Sequence, residues 1–278
     1  MRRRELLRLL AIGGAVDGVD FERIEASRRR GVDRATLDQY EALNAELWRV
    51  FVLASAKVRV APPVQDHLAL ILDVLQRSVA PDLRRRLSAL VLICCNCPEI
   101  AFDHNAYTDA VHCYTLAGTA AREAKAADLW ACALVRNAFA ALAERNHTAA
   151  AHMLELAADI AADGDSELST RQWVAAVQAE TFAGAGNTAG CERALERAEQ
   201  VIGLPGPVHN GGWLRFDTSR LPEERATCYL ELGRFDLAEK ALAEVPPDGL
   251  SVRRAVRQGG GSGQTYGRSS GTWGKSGR

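Results

Sequence analysis

Arg225-Ala226-Thr227-Cys228-Tyr229-Leu230-Glu231-Leu232-Gly233-Arg234-Phe235-Asp236-Leu237-Ala238-Glu239-Lys240-Ala241-Leu242 decides the fold. Strong helix formers flank a single Gly. Gly233 closes the first helix, because glycine enters the left-handed conformation without a Cβ penalty. A second helix then begins at once. Ala238, five residues past the Gly, is small enough to let the two helices approach closely.

The same spacing recurs upstream. Gly186 is followed by Cys191, Leu195 and Ala198; Arg145 by Ala150, Leu154 and Ala157; Asn105 by Ala110, Tyr114 and Ala117. The period is about 40 residues, as in helical solenoids. No Pro occurs between Pro98 and Pro205, and the strand-like alternation of β-branched residues is missing there. Leu129, Cys132, Ala133, Val135, Phe139 and Leu142 mark one broad apolar helical face. Helices are expected near 34–55, 64–78, 82–96, 107–124, 128–143, 148–163, 168–184, 188–202, 219–231 and 235–244.

With 278 residues, 47% hydrophobic and 25% charged, the chain can bury a core. Its net charge of −1 creates no field favouring nucleic acid or an acidic membrane. Seven Cys, an odd number scattered through apolar helical stretches, argue for reduced thiols in a cytosol rather than a disulfide framework. The Arg2-Arg3-Arg4 start precedes an apolar run that ends at Asp17. That run is too short for an export signal, and no stretch reads as a membrane span.

Gly233 to Leu242 resembles a tetratricopeptide repeat, which places a Gly in the turn and an Ala five residues on. Over residues 1–250 the chain resembles the helical-repeat half of actinobacterial helix-turn-helix regulators. The stretches that carry this are Arg3 to Leu9, Tyr107 to Tyr114, Asp128 to Ala131, and His209 to Asp217. The resemblance implies an all-α, right-handed α-α superhelix. Residues 1–80 would form a helical N-terminal cap and 81–250 the repeats. It implies a module that holds a protein or peptide partner in a regulatory, transcription-related pathway. The Arg28-Arg29-Arg30 cluster is too little for a DNA reader, so no direct contact with nucleic acid is expected. The alternative is a ligand-sensing regulator fragment lacking its DNA-binding domain. The Gly-, Ser- and Arg-rich segment 251–278 lacks helical periodicity and acidic residues. It is expected to be disordered, as the product of a frame change in preference to an RNA-binding tail.

In tetratricopeptide stacks the first helix of each pair lines a concave groove. Trp130, Arg136 and Asn137 lie on one such helix, and Arg171, Trp173 and Gln178 on the next. Arg and Asn there suit a peptide backbone or a carboxylate. The loop Leu204 to Asp217 adds His209, Trp213 and Arg215 as candidate contacts; alternatively Trp213 and Phe216 plug the gap between repeats.

Cys94, Cys95 and Cys97, with His104 and His112, form a weaker candidate for metal or redox chemistry. Cys94 and Cys95 are neighbours on a helix and point about 100° apart, so packing thiols are the preferred reading and no metal is expected. His67, His147 and His152 read as surface residues. No nucleophile elbow, phosphate loop, dinucleotide fingerprint or zincin motif appears. The expectation is a non-catalytic, cytoplasmic binding protein without a cofactor.

Overall fold

The computed structural model describes residues 19–53, 61–77, 80–94, 107–204, 214 and 216–245. The arginine-rich start, Cys95 to Asn105 and the segment 251–278 lie outside these. The described residues form α1 (Phe21–Arg30), α2 (Arg34–Leu53), α3 (Ala61–Leu75), α4 (Pro81–Cys94), α5 (Tyr107–Glu123), α6 (Ala127–Ala143), α7 (His147–Ala162), α8 (Thr170–Gly184), α9 (Thr188–Glu199), α10 (Leu221–Glu231) and α11 (Phe235–Ala243). A short 3-10 turn, Gln200–Gly203, extends α9, and no strand occurs among the described residues. All ten expected helices are present, with ends displaced by at most three residues.

α1 was not expected. Its sequence is polar and ends in three arginines, and Phe21 and Ile24 supply its apolar contacts with the core. Local chemistry holds it as well. The Asp20 carboxylate accepts the Arg23 backbone N–H at 2.9 Å, and Gly31 at φ +83° ends the helix. The Ser27 hydroxyl meets the Tyr40 hydroxyl at 2.6 Å and ties α1 to α2.

Four tight turns share one geometry. Lys125, Arg145, Gly186 and Gly233 each have φ between +53° and +74°. In each turn the next residue's N–H reaches back five positions: Ala126 to Ala121, Asn146 to Ala141, Asn187 to Phe182 and Arg234 to Tyr229, at 2.8–2.9 Å. This Schellman closure pairs carbonyls that the helix end leaves open. The sequence expectation for Arg145, Gly186 and Gly233 is met. The residues five positions on, Ala150, Cys191 and Ala238, are at most 1% exposed. Asn146 and Asn187 then cap α7 and α9 by accepting the Ala149 and Gly190 N–H groups.

Consecutive helices pack as adjacent pairs, and alternate helices form a second relationship. α2 touches α4, α4 touches α6, α6 touches α8 and α8 touches α10. Small residues permit this. Ala131, Ala133 and Ala138 of α6 are essentially fully buried, so neighbouring helices come close. Larger apolar side chains such as Leu37, Ile71, Leu87 and Leu154 fill the remaining space. Each contributes about 2 kcal/mol on leaving water. Arg86 braces α4 to α2 through Asp38 and Glu41, at 2.5 and 2.7 Å. No helix among the described residues is long and apolar enough to cross a membrane.

His67 departs from its surface assignment. It is 4% exposed and meets the Tyr40 ring edge-on, with centroids 6.0 Å apart. Burial pushes its pKa down to about 4. The surrounding Asp66 and Gln65 made the position read as polar, although His67 falls on the inner face of α3 with Leu70, Ile71 and Val74.

Candidate functional site

Six of the expected site residues lie on α6 and α8, the two touching helices at the centre of the row. The structure assigns them different work. Arg136 is only 6% exposed. Its guanidinium carbon lies 5.8 Å from the Tyr114 ring centroid and 5.6 Å from that of Trp173. This buried cation sits between two aromatic faces and links α5, α6 and α8. Trp173 is also buried and packs tilted against Phe139 at 6.3 Å.

Arg171 and Gln178 are engaged within the fold. The Arg171 side chain donates to the carbonyls of Ala161, Ala162 and Gly164 at 2.9–3.0 Å. A fixed positive charge thereby closes the C-terminal end of α7, where the helix dipole is negative. Gln178 donates to the Leu154 carbonyl at 3.3 Å and accepts from Arg197 at 3.0 Å. It bridges α7 and α9 from α8.

Trp130 and Asn137 are brought together at a notch of about 130 Å³ between α5 and α6. Thr115, Gly118, Thr119 and Arg122 supply the α5 wall. Gly118 suits this close approach. A Cβ there would lie 3.2 Å from the Ala133 Cβ. The Thr115 and Thr119 hydroxyls donate one turn back, to the Val111 and Thr115 carbonyls. Their oxygens therefore face outward as acceptors. At the mouth, the Arg122 guanidinium lies 5.9 Å from the Trp130 ring centroid and makes no ion pair among the described residues. Asn137 also lines the notch, and its buried Oδ1 has no hydrogen-bond partner among the described residues. A buried amide oxygen left unpaired costs about 1–3 kcal/mol.

Arg122, Thr115 and Thr119 were missed at the sequence level. Their spacing on α5 places them on one face. Their meaning depends on which residues of α6 lie opposite, and that is set by the turn at Lys125.

His209, Trp213 and Arg215 lie outside the described residues. Two neighbours in the same loop are visible. Leu214 and Phe216 are fully buried, and the Ser169 hydroxyl donates to the Phe216 carbonyl. Phe216 thus fills space beside α8. Cys95, Cys97 and His104 also lie outside the described residues, while His112 is exposed. No group of three potential metal ligands forms among the described residues.

A larger open cleft, about 840 Å³, lies beside α1, α2 and the α3–α4 connection. Its charges are committed to the fold. Arg23 donates to Thr36 and Asp33 at 3.0 and 2.6 Å. The Thr36 hydroxyl, with Arg23, holds the Asp33 carboxyl well below the usual carboxylate range. Polar groups already paired in this way offer a ligand less than the notch does.

Neither the protein-family models nor the curated proteins yield a match to this chain.

Proposed function

We propose that the chain is a non-catalytic, tetratricopeptide-like module that holds a protein or peptide partner in a regulatory pathway. The repeated turn geometry and the row of alternate helices support a solenoid reading. The carrying observation is the notch itself, where Asn137 lies beside the aromatic face of Trp130 and the exposed guanidinium of Arg122. A side-chain amide is complementary to a peptide group, and a guanidinium to a carboxylate or carbonyl. A volume of about 130 Å³ suits one side chain of an extended segment. The site would take a peptide end or strand rather than a cofactor. It would work in the cytosol, where thiols such as Cys132 stay reduced, and would leave DNA contact to another chain.

The test is to pan a displayed peptide library against the full chain and against Asn137→Ala. The reading expects sequences enriched on the first and lost on the second, with circular dichroism unchanged. No enrichment, or the same enrichment on both, counts against it.

A further inference from the structure

The notch between α5 and α6 has a charge as well as a shape. Among the described residues that line it, one is a cation, Arg122, and none is an anion. The acids nearest to it in sequence are engaged elsewhere. Glu123 pairs with Arg84 of α4. Asp128 accepts the Thr170 hydroxyl at 2.6 Å and the Asp165 N–H at 2.9 Å. Lys125, in the turn that follows Arg122, is exposed and adds a second positive charge. Arg122 stands in the last turn of α5, and α6 begins beside it at Ala127. The negative end of one helix dipole and the positive end of the next therefore offset each other there.

Trp130 steadies the Arg122 group, which lies 5.9 Å from the ring centroid. The stacked guanidinium covers this aromatic face, so a cationic ligand finds it taken. Stacking leaves the in-plane N–H donors open to a carboxylate.

The α5 wall sets how a ligand lies. The Thr115 and Thr119 hydroxyls spend their hydrogens on the Val111 and Thr115 carbonyls, at 2.8 and 2.9 Å. Their oxygens can only accept, so they suit backbone N–H groups and disfavour a phosphate. The two residues stand about 6 Å apart along the helix axis, with Arg122 about 4.5 Å further on. N–H groups on one side of an extended strand recur at about 6.8 Å, close to the threonine spacing.

We infer that the notch selects an acidic side chain, Asp or Glu, from an extended peptide segment. Its carboxylate pairs with Arg122 while backbone N–H groups of the segment meet Thr115 and Thr119. The inference rests on the peptide-holding reading above and adds the charge of the preferred residue. The volume of about 130 Å³ admits one side chain. A chain terminus would bring both its carboxylate and its own side chain, so an interior acidic residue is the better fit.

The experiment passes pools of heptapeptides over the immobilised full chain. Both peptide ends are blocked, and the sequences are degenerate except for a central Glu, Asp, Gln or Lys. The wild type should retain the Glu or Asp pool about tenfold over the Gln pool and exclude the Lys pool. The preference should shrink as salt rises, because Arg122 is exposed. Arg122→Ala should retain the Glu and Gln pools equally, and Arg122→Glu should prefer the Lys pool, both with unchanged helicity. Peptides retained by the wild type without a preference for acid, or with the same preference in Arg122→Ala, would overturn this inference and leave the peptide reading standing. So would a gain of about tenfold on unblocking the carboxyl end of the Gln pool, which would make a chain terminus the source. Retention of no pool would overturn both readings.

Discussion

The guanidinium carbon of Arg136 sits 5.6 Å from the centre of the Trp173 ring, and this contact joins α6 to α8 inside the core. With Tyr114 on the other side at 5.8 Å, the cation is enclosed by two aromatic faces. Arg136 is therefore a structural residue. Arg136→Ala should cost about 3 kcal/mol in urea unfolding, through the cavity and the lost contacts. Arg136→Lys should cost about 1–2 kcal/mol, because an ammonium cannot stack as a plane. Equal stability of the wild type and both variants would show that the rings do not depend on this cation.

The four positive-φ turns predict gains as well as losses. Lys125 and Arg145 are exposed and carry a Cβ in a conformation that suits glycine. Lys125→Gly and Arg145→Gly should each raise stability by about 0.5–1 kcal/mol. At Gly186 and Gly233 an added Cβ meets nothing within 4 Å, so only the backbone conformation opposes it. Gly186→Ala and Gly233→Ala should each lose about 1–2 kcal/mol. Urea midpoints at unchanged slope check both directions.

Arg171 predicts a capping effect. Its three carbonyl acceptors lie at or just past the end of α7. Arg171→Ala should lower stability by about 1–2 kcal/mol. Faster amide exchange should be confined to the turn 163–169 and the last turn of α7. An unaltered exchange pattern would remove the cap.

His67 predicts acid sensitivity. The unfolded chain takes up a proton near the ordinary histidine value of 6.5, whereas the buried imidazole does so only near pH 4. Between these values the unfolded state binds more protons, so stability falls as pH falls. The full loss from this group is about 3 kcal/mol. Most of it should appear between unfolding curves taken at about pH 7.5 and about pH 4.5, and His67→Leu should remove that part of the slope.

The helical class was legible because its signals are local. Gly233 and Ala238 announce a turn and a close approach, and the same spacing recurs from Gly186 and Arg145. α1 was not legible, since Phe21 and Ile24 are a short apolar signal in a polar stretch, and Asp20, Gly31 and the Ser27–Tyr40 contact fix the helix locally. The candidate site was legible only in part. Trp130 and Asn137 meet at one notch, but an Arg or Gln in a helix looks the same whether it faces solvent or closes a neighbour. Arg136, Arg171 and Gln178 are all engaged internally, which their helical spacing does not reveal. Arg122, which faces the notch, belongs to a helix whose register against α6 is a tertiary fact.

The central claim is that the notch between α5 and α6 holds a peptide through Asn137 and Arg122. The most direct measurement is calorimetric titration of an enriched library peptide into the wild type, Asn137→Ala and Arg122→Ala, with unfolding midpoints measured alongside. The account predicts affinity weakened about tenfold or more in each variant, with stability unchanged in Arg122→Ala and not lowered in Asn137→Ala. Equal affinity in all three proteins would contradict it.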